Sequence, residues 1–369
     1  MTDSTRPDAP SLITFAVFTG PGQIELRQAA KPVLADGEAL VEVLGCTLCG
    51  SDVHSFLGRR EVVVPTVLGH EIVGRVVEVG PAGRSGPARC TDGTPLQVGD
   101  RVVWAVVASC GACDRCRRGL PQKCRSGVKY GHTQLCSGRE GLGGLSSHCL
   151  LLAGTSVVRL AEAVPLEAAC PAGCATATVA AALEPAGDLT GMCVGVFGLG
   201  MLGLTACAMA RQAGAAAVLA FDPEGSRRDL AVRFGATAAG RPEELPALLA
   251  EVGADGFDLV LELSGAAVAV AAAIEAAGVG GCVHLVGSVF PSAEVPLDPE
   301  QTVRRQLTIR GIHNYAPRHL EQAVQFLEVC HARLPFAELV SEWWPLADLE
   351  AAWAAAITSG AIRVGVRPR

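Results

Sequence analysis

The chain has 369 residues, half of them hydrophobic and 18% charged, with a formal net charge of −7. It can bury a sizeable core, its length suggests two domains, and wholesale disorder is excluded. The acidic balance (pI about 5.7) excludes the basic footprint of a nucleic-acid binder. No run of about 18 apolar residues marks a membrane span, and the polar residues 1–10 lack the apolar core of a secretory signal. A cytoplasmic protein with neither nucleic-acid nor membrane partners is expected. Fifteen cysteines in that setting point to metal ligands rather than disulfides.

In chain order, the first half reads as short strands: 12–17 and 23–27 about a Gly-Pro-Gly turn, then 39–44, 72–79, 101–107, 146–152 and 156–160. Residues 81–95 are rich in glycine, proline and charge and predict a surface loop, and 128–145 predict irregular chain. Between these lie Cys110, Cys113, Cys116 and Cys124, spaced C-x2-C-x2-C-x7-C. Four thiolates so close in sequence can converge on one tetrahedral zinc with no open position, which is a structural site. The intervening glycines, Asp114 and arginines cannot form a core, so this lobe needs a staple, and the arginines can offset the excess negative charge of the sulfurs. An iron–sulfur cluster or unligated thiols are the competing readings.

From about residue 165 the pattern changes. Residues 166–183 predict one helix. Strands at 217–222, 256–263 and 281–287 then alternate with helices at 226–234 and 266–277, with a last strand at 307–312 and helices within 318–331 and 343–359. Alternation of this kind predicts a parallel, doubly wound sheet. At its head stands Gly198-Leu199-Gly200-Met201-Leu202-Gly203, after the apolar run 192–197 and before an alanine-rich helix. Gly198 permits the turn, Gly200 lets a pyrophosphate approach, and Gly203 lets helix and strand pack closely. The N–H groups around Met201 and Leu202 face the phosphates at the helix start. Asp222 ends the next strand, where a carboxylate binds both ribose hydroxyls and repels a 2′-phosphate, so NAD is expected over NADP. Arg227 and Arg228 follow and partly offset that charge.

Two further motifs, Cys49-Gly50-Ser51-Asp52-Val53-His54 and Gly69-His70-Glu71, precede the lobe. Singly they have bland readings as a buried thiol, a helix cap and a core histidine. Together with Gly99-Asp100-Arg101-Val102, the four-cysteine lobe and the glycine turn, in this order, they make the chain resemble the zinc-dependent medium-chain alcohol dehydrogenases from about residue 12 to 366.

The resemblance implies an α/β fold: a β-rich GroES-like catalytic domain (1–174 and 314–369, with the zinc lobe at 110–124) and a Rossmann domain (175–313). It implies two zincs per chain, NAD, a small alcohol or carbonyl substrate and a homodimer or homotetramer. Cys49, His70 and Cys174 match the catalytic zinc ligands. Cys170 competes for the third place, and the Gly173-Cys174 pair favours Cys174. Glu71 matches an acid behind the ligands, and Asp52 is placed to hold the far nitrogen of His70. Ser51 would take the hydroxyl proton and His54 pass it to solvent, while hydride moves to the nicotinamide. Thr178 matches a position near that ring, and Arg363 a partner of the pyrophosphate.

Bland alternatives make His54 and Arg363 ordinary surface residues, and Arg59 and Arg60 solvated loop residues. Arg59 and Arg60 border the expected substrate cleft, and Lys129-Tyr130-Gly131-His132 adds further positive charge. With residues 171–178, these loosely resemble a subgroup associated with phosphonate metabolism, which implies an anionic substrate. The alternative is a polyol or amino-alcohol dehydrogenase of the threonine or sorbitol type. An alternative of another class is an inactive relative with a binding or structural role.

Overall fold

The computed structural model describes residues 12–83 and 86–368. Residues 1–10, and Arg84 and Ser85 of the expected surface loop, lie outside these. The chain divides into two compact units: one runs to Gly173 and resumes at Val340, and the other spans Cys174–Leu339.

The first unit is built on antiparallel strands. Leu12–Gly20 and Gln23–Ala30 form a hairpin. The main sheet has the order Val340–Pro345, Arg363–Arg367, Ala39–Thr47, Glu71–Val79, Arg101–Trp104, Val157–Arg159, and His148–Leu151 also pairs with Ala39–Thr47. Ala39–Thr47 and Glu71–Val79 bury apolar side chains on both faces, among them Leu40, Val41, Val73 and Val76. The seven-residue helix Gly50–Phe56 follows Ala39–Thr47. It is pinned from below by Phe56, whose ring stacks at 4.3 Å on the buried Trp353 of the helix Leu349–Thr358. Stacking of the partly buried Phe56 on a buried indole anchors a helix too short to be stable alone. Trp343 packs against Gly365, where any side chain would collide with its ring, and its Nε1 donates to Glu167 at 2.8 Å. The expected strand 101–107 is split into Arg101–Trp104 and Val107–Ala108.

The second unit carries the expected parallel sheet. Its strands are, in chain order, Cys193–Phe197, Ala217–Phe221, Ala238–Gly240, Phe257–Glu262, Ala277–Leu285 and Thr308–Gly311, arranged third-second-first-fourth-fifth-sixth, all parallel. That order places the topological switch point beside the first strand, where dinucleotides bind in such sheets.

Two expectations need correction. Residues 166–183 are not one helix: Leu166–Ala169 passes into a 3-10 turn at Cys170–Gly173, and a new helix, Ala175–Leu183, starts after Cys174. Pro171 has no N–H to give a continuing helix. The chain also returns to the first unit at Val340 rather than at 314. The intervening helix Pro317–Cys330 buries Leu320, Val324 and Leu327, and its Arg318 and His319 bind Glu184 at 2.6–2.9 Å, all within the second unit. No single helix among the described residues is long and apolar enough to cross a membrane.

Candidate active site

Three neighbouring strand ends in the first unit bring the expected residues together. Cys49 follows Ala39–Thr47 and precedes the helix Gly50–Phe56, His70 and Glu71 open Glu71–Val79, and Arg363 opens Arg363–Arg367. Thr47 pairs with Glu71 in register, and Leu48 N donates to Val364 O at 2.9 Å. Asp52 ties the corner: one carboxylate oxygen accepts from Cys49 N at 3.0 Å, and the other from His70 Nδ1 at 3.2 Å and Gly69 N at 3.3 Å. A carboxylate on Nδ1 fixes the tautomer and leaves Nε2 for a metal. Ser51 Oγ stands 3.3 Å from that Nε2.

The donor atoms of Cys49, His70 and Cys174 lie within 4.8 Å of one another. Cys174 is bonded directly to Gly173, so the 3-10 turn that ends the first unit carries it. Two thiols and one imidazole fit a zinc that keeps its fourth position open, as a catalytic site requires. Cys170 is fully buried in that turn and does not join the group. Burial opposes charge on His70, but Asp52 and Cys49 outweigh it and raise its pKa to about 10. A metal at Nε2 competes for that proton.

Behind the ligands, Glu71 is wholly buried and accepts from Thr47 Oγ1 at 2.6 Å and from Arg363 Nε and Nη2 at 2.7 and 2.8 Å. Burial pushes the Glu71 carboxyl up, and Arg363 opposes it. Arg363 Nη2 also reaches Cys49 Sγ at 3.5 Å, and Nη1 donates to Ile362 O. Arg363 is therefore no surface arginine: its guanidinium clamps Glu71. Thr47 escaped the sequence reading, since nothing distinguishes a threonine that ends a strand.

His54 lines a cavity of about 140 Å³ with Gly50, Arg59 and Arg363. Burial first, then the Arg59 charge, lower its pKa. The two adjacent arginines diverge. Arg59 is exposed, whereas half-buried Arg60 turns inward and its Nη1 donates to His132 Nε2 at 2.7 Å. The His132 ring lies 5.1 Å from that of His70. Burial first, then the charges of His70, Lys129 and Arg60, push the His132 pKa well below the usual imidazole value, so any positive charge of the segment 129–132 comes from Lys129.

The four lobe sulfurs also lie within 4.8 Å of one another, with Sγ–Sγ separations of 3.5 Å (Cys113–Cys116), 4.0 Å (Cys113–Cys124) and 3.4 Å (Cys110–Cys124). Four Zn–S bonds of about 2.3 Å at tetrahedral angles put sulfurs about 3.8 Å apart, so the set fits zinc. Backbone N–H groups of Arg125 and Cys116 hold the Cys113 thiol down to about 6. The arginines act mainly as ties: Arg115 donates to Lys123 O, Arg117 to Ala112 O, and Arg118 to Asp114.

In the second unit Gly198 has φ +90°, and a side chain there would strike the Ser264 backbone at 2.7 Å. One at Gly203 would meet Gly198 O at 2.0 Å. A Cβ at Gly200, by contrast, meets nothing within 4 Å. No protein atom requires that glycine, and the space beside it is open. Met201 and Leu202 open the helix Met201–Gln212. Buried Asp222 accepts from Leu199 N at 2.8 Å and Glu224 N at 2.9 Å, with Arg227 Nη1 3.9 Å from Oδ2. Arg228 is turned to the carbonyls of Asp222 and Pro223. Thr178 is buried one turn after Cys174 and donates its N–H to Cys174 O.

Comparison with known proteins agrees with this geometry. Residues 35–162 match the alcohol dehydrogenase GroES-like domain, and residues 202–329 the zinc-binding dehydrogenase domain. The 5-exo-hydroxycamphor dehydrogenase of Pseudomonas putida is 30% identical over 317 residues, 84% of this chain and 85% of its own. The chain belongs to the zinc-dependent medium-chain alcohol dehydrogenase family. Another relative, an L-threonine 3-dehydrogenase of Burkholderia thailandensis, is 29% identical over 92% of this chain and 94% of its own. An alcohol dehydrogenase from Thermotoga maritima matches with a TM-score of 0.89 at 28% identity, over 97% of this chain and 100% of that one. As a member of the family, the protein is an oxidoreductase that uses zinc and NAD.

Proposed function

We propose that this dehydrogenase oxidises an alcohol that carries an oxyanion, a phosphonate or a carboxylate, to the corresponding aldehyde or ketone. The observation that carries the reading is Arg60, a guanidinium turned inward and held one ring away from the ligand His70. A planar fork of N–H donors matches phosphonate and carboxylate oxygens, and a plain aliphatic alcohol has no use for it.

Cys49, His70 and Cys174 would hold the catalytic zinc, and Cys110, Cys113, Cys116 and Cys124 the structural one. Bound zinc lowers the pKa of a coordinated hydroxyl, and bound NAD accepts the hydride. The chain does the rest. Asp52 keeps His70 Nδ1 protonated, so that Nε2 is the donor to metal. Ser51 Oγ, beside Nε2, takes the hydroxyl proton. His54, three residues along the same helix, hands it to solvent, and its lowered pKa keeps it neutral and able to accept. Arg363 enters this reading as the counter-ion of Glu71, and a pyrophosphate contact would have to be made without breaking that pair. On the second unit, Gly198, Gly200 and Gly203 shape the pyrophosphate turn, Thr178 is the residue we place near the nicotinamide, and Asp222 selects NAD. A cytoplasmic setting is part of the proposal, supported by the absence of any disulfide among the described cysteines.

The test compares 2-hydroxyethylphosphonate with 1-propanol. Losing a charge-assisted contact costs roughly 1.5–3 kcal/mol, so the charged alcohol should win in kcat/KM by a factor of about ten to a hundred, and Arg60→Ala should remove the advantage. Equal values would leave a dehydrogenase of uncharged alcohols. The threonine-type reading is favoured by the relatives named L-threonine 3-dehydrogenase, and L-threonine as the best substrate would decide for it.

A further inference from the structure

We propose that Glu262 is a positioning residue for the dinucleotide: its buried carboxylate shapes the loop 263–266, and that loop backs the glycine turn that receives the pyrophosphate. The inference rests on placing the pyrophosphate at the turn 198–203 and adds to it a residue from another strand, Phe257–Glu262.

Three strands of the second unit end level with one another. Phe197, the last residue of Cys193–Phe197, pairs in register with Phe221 on one side and Glu262 on the other. The sheet order reverses beside Cys193–Phe197, so the turn 198–203 and the loop 263–266 form the two lips of the crevice where a dinucleotide lies in such a sheet. The turn is held from both flanks. On one, Gly198 N donates to Phe221 O at 2.9 Å and Leu199 N to Asp222 Oδ2 at 2.8 Å. On the other, Leu263 N donates to Phe197 O at 2.8 Å, and Ser264 presses on Gly198, where a Cβ would meet the serine N at 2.7 Å and its Cα at 2.9 Å.

Glu262 sets where Ser264 stands. It is wholly buried, and its Oε1 accepts from Ser264 N at 2.9 Å, Ser264 Oγ at 2.5 Å and Gly265 N at 3.0 Å. Ser264 Oγ accepts in turn from Ala266 N at 3.1 Å. The Glu262 carbonyl is fixed as well, by Val286 N at 2.9 Å and Gly287 N at 3.0 Å. A buried carboxylate is costly unless donors surround it, and here the donors belong to the loop that follows. Bonds to a charged acceptor are roughly twice as strong as neutral ones, so they hold a loop whose Ser264 and Ala266 are exposed. A turn that is rigid before the ligand arrives spares binding an ordering cost. That is the contribution assigned to Glu262, which lies beneath its own loop and acts only through the turn.

The experiment uses the zinc-loaded enzyme and three variants: Gly200→Val, Glu262→Ala and Glu262→Gln. The Kd values of ADP-ribose, which carries the pyrophosphate, and of adenosine, which lacks it, are read by calorimetry, with KM for NAD and kcat measured alongside. If Glu262 positions the turn, Glu262→Ala strands the loop N–H groups and weakens ADP-ribose about threefold to tenfold, while adenosine stays within about twofold. The kinetic loss falls on KM for NAD rather than on kcat. Glu262→Gln, which keeps an oxygen for Ser264 N and Gly265 N, restores part of the affinity. Gly200→Val, whose side chain meets no protein atom at its Cβ, weakens ADP-ribose by blocking the pyrophosphate itself.

If Gly200→Val weakens ADP-ribose while Glu262→Ala leaves it unchanged, the positioning role is refuted and the place of the pyrophosphate survives. An unchanged ADP-ribose Kd in Gly200→Val refutes that place, and the inference with it. Equal losses of ADP-ribose and adenosine in Glu262→Ala also refute the proposal, because they mark a merely structural residue. Tighter ADP-ribose binding by Glu262→Gln refutes it too, since the carboxylate would then act by repelling the ligand. If Glu262→Ala does not fold, Glu262→Asp, which draws the carboxylate back from the loop, replaces it under the same criteria.

Discussion

Replacing Glu71 by glutamine should loosen the ligand corner. The wholly buried carboxylate takes three hydrogen bonds, from Thr47 at 2.6 Å and from Arg363 at 2.7 and 2.8 Å. Glu71→Gln keeps the shape, removes the charge and turns one acceptor into an NH2 that must face a donor. Breaking a buried pair by removing one partner costs about 3–5 kcal/mol. The Cys49 sulfur, 3.5 Å from Arg363 Nη2, offers the stranded guanidinium a second anion, which argues for the lower end, about 3 kcal/mol. For a unit of roughly 200 residues, each kcal/mol moves Tm by about 2–4 °C, so a fall of about 6–12 °C is expected by scanning calorimetry.

The pair also joins three strand ends that carry or flank Cys49 and His70, so zinc should leave the variant faster under a chelator. Outer partners of metal ligands typically govern affinity by about 10–100-fold. The double variant Glu71→Gln/Arg363→Gln separates pairing from packing. If pairing dominates, it is no less stable than Glu71→Gln alone. A Tm within 2 °C of wild type for Glu71→Gln, or strictly additive losses in the double variant, would refute the reasoning.

Cys113→Ser should reduce the metal content from two zincs per chain to one and destabilise the first unit, because metal binding in the lobe is folding free energy; metal analysis and thermal melting read both. Cys174→Ser should abolish turnover with the melting curve largely kept, whereas the buried Cys170→Ser should leave turnover standing; the reverse outcome would reassign the third ligand. Asp222→Ser should raise the relative efficiency with NADP in a two-cofactor kinetic comparison. It should also cost about 1–3 kcal/mol, since Leu199 N and Glu224 N lose their acceptor. Arg59→Ala should move the acid limb of the kcat/KM profile to higher pH, because the arginine lowers the His54 pKa and a neutral His54 is the form that accepts the proton. The shift should shrink in high salt, as Arg59 is exposed.

What could be read from the sequence shared one property: the signal lay within a few residues. The C-x2-C-x2-C-x7-C spacing and the glycine turn are local, and the structure places their atoms where the spacing implied. The alternation of strands and helices after 190 is likewise a local periodicity, and it was enough to anticipate a parallel sheet. What escaped lay across long separations or in small perturbations of helix. Glu71 and Arg363 are 292 residues apart, and Arg60 and His132 are 72 apart, so no pattern in either segment announces the pair. The segment 129–132 was read as adding positive charge, yet burial and the neighbouring charges push the His132 pKa well below the usual imidazole value. The break at Cys170–Gly173 was hidden by helix-forming alanines on both sides, although Pro171 and Gly173 were in plain view. Alanine-rich sequence outweighed a proline whose effect depends on where the helix would have to run.

The segment after His54 links proton handling to substrate recognition more tightly than two separate arginines would. Arg59 N and Arg60 N both donate to the same acceptor, His54 O, at 2.9 and 3.2 Å. One side chain then turns outward and lowers the His54 pKa, and the other turns inward to His132. Adjacent residues anchored on one carbonyl cannot be moved independently, so their effects should not add. The Arg59→Ala/Arg60→Ala pair should show a coupling between the pH profile and the charged-substrate preference that neither single change shows. If the effects in the double variant were the simple sum of the singles, Arg59 would act on His54 through space alone. Recognition by Arg60 would then be separable from the relay.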